Sequence, residues 1–242
     1  AEKFLDIKCQ LAGIAPSAVV LVATARALKL HGGVAFEDLN TENVEAIAAG
    51  ICNLERHYEN MASYGVPVVV ALNRFPSDTD AEVDFIQNWC TERGIEFSVN
   101  SAALVGGSGA VHLASKVAAI LELDSAKNFK PVYSFEEPIF DKIDKVCRQI
   151  YRADRVEYSN EAIAQINKYT EMGYGNLPIC ISKTPNSFTD DAKILGAPTG
   201  FKIHIREVRL YAGAGLIVPL SGSLLLMPGL PKKPRCMDEF NA

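Results

Sequence analysis

VPVVVALNRFPSDTDAE, residues 66–82, reads as a buried strand, a polar loop and the opening of a helix. Residues 66–72 form an unbroken apolar run rich in β-branched side chains, the pattern of a parallel strand covered on both faces. Asn73 falls where such a strand leaves its sheet. Phe75 and Pro76 follow, and Ser77 or Asp78 is placed to cap the next helix. Open α/β sheets bind ligands at the carboxyl ends of their strands. An exposed aromatic at that spot offers a face on which a planar ligand can stack.

Working outward, strand and helix patterns alternate. Residues 18–23 (AVVLVA) read as another buried strand. Residues 41–64 read as a helix, with Val44, Ile47, Ala48, Ile51 and Leu54 at helical spacing. A helix over 78–93 is stopped by Gly94, a short strand covers 97–99, and Gly106-Gly107-Ser108-Gly109 leads into a helix over 110–121. This order predicts an α/β fold with a parallel sheet and flanking helices. A break is expected at 125–138, where prolines, charges and aromatics mix. Beyond it come helices over 139–151 and 160–172, the second capped by Ser159. A short strand at 178–182, a polar loop at 185–200, an alternating strand at 201–210, a more buried strand at 214–220 and an extended tail, PGLPKKPR, follow. The expected division is a parallel α/β domain over residues 1–125 and a smaller α/β domain over 126–242, with a helical hairpin, a short sheet and the tail.

Composition bounds the function. The chain has 242 residues, 48% hydrophobic and 22% charged, which suits a globular protein with a sizeable core. A net charge of −5 argues against a general nucleic-acid binder. The one basic cluster, Lys232, Lys233 and Arg235, is interleaved with prolines and reads as a solvated tail. Six scattered cysteines, without CxxC or Cys/His spacing, suggest reduced thiols in a cytoplasmic protein. No run of about 18 apolar residues suggests a bilayer span. The N-terminus lacks a signal-peptide pattern and an initiator Met, so the chain is expected to be processed or a fragment.

Four loops can carry chemistry. Lys29, His31, Gly32 and Gly33 can meet an anion, or they can end a helix whose last carbonyls the basic side chains satisfy. Asn73 to Glu82 is the second, although its acids also suit the first turn of any helix. Gly106, Gly107 and Gly109 can cradle an anion at a helix start or simply make a tight turn. Lys183, at the end of PICIS, can bind a carboxylate or phosphate or stand as a solvated lysine. The phosphate-loop pattern GxxxxGK[ST] is absent from the 242 residues.

Together these loops resemble formate–tetrahydrofolate ligase. The blocks are AEKFLDIKC, PSAVVLVATARALKLHGG, GVPVVVALNRFPSDTDAE, GYGNLPICISKTPNSF, EVRLYAGAGLIVPLSG and MPGLPKKP, in that order along nearly the whole chain. The resemblance implies a Rossmann-like fold related to the P-loop NTPases. It also implies a cytoplasmic homotetramer that condenses formate with tetrahydrofolate, using ATP and Mg²⁺ with help from a monovalent cation. Phe75 and Pro76 match the loop that packs on the planar pterin or base ring, with Asn73 beside it. Lys29, His31, Gly32, Gly33, Asp78 and Lys183 match ligand-proximal positions.

Two departures shape the expectation. The family's P-loop lies upstream of the matched blocks. The family also places a Trp shortly before the Gly-rich turn as the second wall of a ring sandwich, and Ala103, next to Leu104, stands there in this chain. The resemblance therefore implies the folate-side, C-terminal part of the enzyme, needing the missing N-terminal half or working in a homo-oligomer. The alternative is a non-catalytic folate-binding or assembly module.

Overall fold

The structure is a computed structural model that describes residues 1–123 and 128–222. The expected 125/126 boundary, residues 223–226, Cys236 and the basic tail lie outside the described residues.

Three strands, β1 (Val19–Ala23), β2 (Val68–Asn73) and β3 (Glu96–Asn100), form a parallel sheet in the order β1-β2-β3. Every residue of β2 except Asn73 is buried, as the apolar run predicts. β1 departs from the expectation of full burial: Val20 is 41% exposed and Val22 56%. The cause is one-sided cover. Helices α2 (Ala25–His31), α3 (Val44–Ala62) and α4 (Asp80–Glu92) pack a core of Ile47, Ile51, Val83 and Ile86 against Val70, Leu72 and Phe97. On the opposite face α6 (Val111–Leu121) lies against β3 and β2, which leaves the outer residues of edge strand β1 open.

The helix ends follow local chemistry. α4 starts two residues later than expected, because Thr79 and not Ser77 or Asp78 is its cap. Thr79 Oγ1 accepts from Glu82 N–H and Glu82 Oε2 accepts from Thr79 N–H, a reciprocal capping box. At the other end Gly94 has φ +64°, its N–H donates to Thr91 O and that of Ile95 to Cys90 O, a Schellman closure. A short helix not anticipated, α5 (Ala102–Val105), precedes the Gly-rich turn. The stretch Ala102–Leu121 is long and apolar enough by composition to cross a bilayer, contrary to the reading of the apolar runs, although a 3-10 turn at Gly106–Ala110 divides it.

A second, mixed sheet is built from β4 (Arg155–Tyr158), β5 (Lys202–Tyr211) and β6 (Leu216–Ser221). β4 pairs parallel and β6 antiparallel to β5. β5 shows the alternating burial its sequence predicts. The 178–182 segment is not a strand of its own; it touches β6 through bridges at Ile179 and Ser182. The helical pair is present, as α7 (Ile139–Lys145) continued by a π-helical turn (Val146–Ile150), and as α8 (Asn160–Glu171) with Ser159 accepting from Ala162 N–H. Met61, Tyr64, Val66 and Val68 share one apolar cluster with Ile143, Ile166, Ile203 and Ile217, so the two sheets are packed on a common core.

Candidate functional site

The carboxyl edge of the parallel sheet gathers the loops that follow β1, β2 and β3. Asn73 pairs with Asn100 in the ladder, and Asn100 Nδ2 donates to Asn73 Oδ1 at 2.8 Å. The two strand ends are therefore latched side by side, and Asn73 is spent on the latch. Arg74 N–H donates to Asn100 O at 3.0 Å, and Ala102 N–H donates to Asn100 Oδ1 at 3.2 Å, which sets α5 beside the Phe75 loop.

Asp78 folds the Phe75 loop. Its Oδ2 accepts from Phe75 N–H at 2.8 Å, while its Oδ1 is buried without a partner among the described residues. Asp78 thus shapes the loop from inside. The outcome of this buried anchor is that Phe75 stands 39% exposed at the sheet edge. Pro76, Ala103, Leu104 and Val105 are exposed near it, with Leu104 at 48%. The guanidinium of Arg26, from the first turn of α2, lies 5.7 Å over the Phe75 ring. Reading the sequence singled out Phe75 but not Arg26, whose partner lies 49 positions away by their residue numbers.

The glycines are explained by packing. A Cβ on Gly32 would stand 1.9 Å from Ala46 O, and one on Gly50 would stand 2.0 Å from Leu28 O, so these residues let α2 and α3 touch backbone to backbone. Gly33, with φ +92°, closes the end of α2, the helix-stop alternative. The hollow beyond it is lined by Asp38, Glu42 and Glu45, which repel an anion. A Cβ on Gly109 would meet Ser101 C at 2.6 Å, and Ser101 N–H donates to Gly109 O. Gly106, Gly107 and Gly109 therefore form the tight turn that seats α6.

Lys29 is completely buried. Its Nζ donates to Glu82 Oε1 at 2.9 Å and to Thr41 O at 3.0 Å. Burial pushes the Glu82 carboxyl up, but hydrogen bonds from Lys29, Asn43 and Thr79 outweigh it and hold Glu82 below the ordinary carboxylate range. This ion pair is structural, and Lys29 has no reach to a ligand.

His31 and Lys183 meet elsewhere, in a cavity of about 750 Å³ that they line with His57, Asn60 and Phe188. His31 Nδ1 accepts from Gly196 N–H, which assigns the proton to Nε2, and burial holds its pKa down. Lys183 Nζ donates to the carbonyls of Thr184, Ser187 and Thr189 and sits 4.8 Å over the Tyr151 ring. Burial brings its pKa down to about 8. With three carbonyls satisfied, this ammonium organises the 184–189 loop. Of the four sequence-predicted loops, 73–82 forms the Phe75 edge, while only His31 and Lys183 of the others line this cavity.

No group of three or more His, Cys, Asp or Glu side chains among the described residues can hold a metal ion. The five described cysteines are free.

These features define an α/β protein with an exposed aromatic at the carboxyl edge of a parallel sheet. The family model "Formate--tetrahydrofolate ligase" matches residues 1–239, and the chain belongs to that family. Formate–tetrahydrofolate ligases of Staphylococcus aureus strains Newman and USA300 are each 48% identical to it over 238 residues, covering 98% of this chain. The chain spans 42% of the length of these curated relatives.

Proposed function

We propose that this chain forms the folate-side part of an enzyme that ligates formate to tetrahydrofolate with ATP, giving 10-formyltetrahydrofolate. The observation that carries the reading is the exposed Phe75 ring, held at the sheet edge by the buried Asp78 anchor. The pyrimidinone ring of a reduced pterin is planar and electron-rich, and it gains from burial against such a ring. Residues 1–125 are read as the folate-facing domain and 126–242 as the smaller one.

ATP and Mg²⁺ do not fit the described residues. The Gly106–Ala110 turn is folded back on Ser101, and no metal-ligating cluster is present among the described residues. We therefore assign ATP, Mg²⁺ and the monovalent cation to none of the described residues and route no step through them. The chain's own task in this reading is to bind and orient the pterin. Cytoplasmic location and assembly into a homo-oligomer belong to the same proposal.

The test is to titrate the chain with tetrahydrofolate by calorimetry and, in parallel, to assay ATP-dependent formation of 10-formyltetrahydrofolate. Binding without turnover is the expected result. Robust turnover by the chain alone would overturn the division of labour, and no binding at millimolar ligand would overturn the folate site itself.

A further inference from the structure

We propose that Arg26 is the opposing wall of the Phe75 site, a planar cation that clamps the ligand ring in place of a second aromatic. The inference rests on the reading that Phe75 stacks a flat ring. Its own observations are independent of that reading.

Arg26 is uncommitted. It makes no ion pair or hydrogen bond with the described residues, whereas the neighbouring Arg74 is bound to Asp80 at 2.6 Å. A half-buried guanidinium with five idle donors at a sheet edge is available to a ligand. It is also close: the guanidinium carbon lies 5.7 Å from the centroid of the Phe75 ring.

The spacing is the second observation. A flat ring held between two planar groups needs a gap of about 7 Å, two contacts of about 3.5 Å each. The guanidinium carbon now lies 5.7 Å from the ring centroid, so the rotatable arginine stem must swing outward to admit a ring. Guanidinium planes stack on heteroaromatic rings as aromatic side chains do, and they favour electron-rich ones. The ligand class is therefore a flat, electron-rich heteroaromatic ring. The exposed Ala103 has no ring to offer, so in this chain the cation provides the face that Ala103 does not.

The experiment is a calorimetric titration of the 242-residue chain with tetrahydrofolate and with a methyl tetrahydropterin. The proteins are wild type, F75A, R26A, R26K and F75A/R26A, each checked by thermal unfolding. F75A and R26A should each weaken both ligands about tenfold, the effect of losing one stacking face. The double variant should lose little more than either single one, because a clamp needs both walls. R26K keeps charge and stem but not the plane, and it should bind nearly as weakly as R26A. Wild-type affinity in R26A, or in R26K, would overturn the clamp while leaving Phe75 in place. An F75A variant that binds as wild type, or a wild-type chain that binds neither ring, would overturn the stacking reading and this assignment with it.

Discussion

Lys29 Nζ and Glu82 Oε1 lie 2.9 Å apart with both side chains closed to solvent, and this pair ties three helices together at the back of the sheet edge. Glu82 also accepts from Asn43 N–H at the start of α3 and from Thr79 N–H at the start of α4. Removing either partner strands a buried charge. Lys29→Met and Glu82→Met should each lower the unfolding free energy by about 3–5 kcal/mol. Glu82→Met should be the costlier, since it also strips two backbone donors. In the double variant the loss should fall short of the sum by about 1 kcal/mol or more, measured by urea denaturation. Strictly additive losses would mean that the pair contributes no coupling.

Asp6 gives the fold a pH dependence with a defined sign. It is buried, and burial raises its pKa from 3.8 to about 6 against the opposing hydrogen bonds from Tyr64 OH and Val132 N–H. The folded chain therefore holds this proton more tightly than the unfolded chain, and its contribution to stability falls as pH rises through about 6. Comparing pH 5 with pH 7, wild type should gain about 1 kcal/mol relative to Asp6→Asn, given about 1.36 kcal/mol per pKa unit. Equal pH slopes for the two proteins in urea melts would remove Asp6 as the source.

What could be read from the sequence depended on how local the cause was. β2 was legible because its β-branched run needs no outside information, and Gly94 because a helix stop is a local event. β4 alternates charged and apolar residues, Arg155-Val156-Glu157-Tyr158, but a run of only four is a weak strand signal without its partner β5. Thr79 and Glu82 do show the capping-box spacing, so the start of α4 is legible in the sequence beside the competing caps Ser77 and Asp78. The site divides in the same way. Phe75 was visible at a strand end, but Lys29 looked free because Glu82 is 53 residues away. Gly32 looked like a ligand loop because only the packed α3 reveals what its missing Cβ avoids. Arg26 became visible only once β1 and β2 were paired.

The Phe75 loop should depend on Asp78 for its shape. Asp78→Ala removes the acceptor of Phe75 N–H, a charge-assisted hydrogen bond of about 1.5–3 kcal/mol. The expected outcome is faster exchange of the Phe75 amide with solvent and several-fold weaker binding of tetrahydrofolate. Unchanged exchange at that amide would mean that the loop holds its shape without the carboxylate.

The strongest gain should come from placing an aromatic at Ala103. The latch Asn73–Asn100 and the bond from Ala102 N–H to Asn100 Oδ1 fix α5 next to the Phe75 loop, and Ala103 is exposed there, so a large side chain meets solvent and not the core. Ala103→Trp should leave the thermal midpoint close to wild type. It should strengthen tetrahydrofolate binding by about 1–3 kcal/mol, the worth of one base-stacking face. The gain should be larger in an Arg26→Ala background, where no other planar group faces Phe75. If Ala103→Trp folds normally yet binds no more tightly in either background, α5 does not face the ring, and the second wall must be sought on α2 alone.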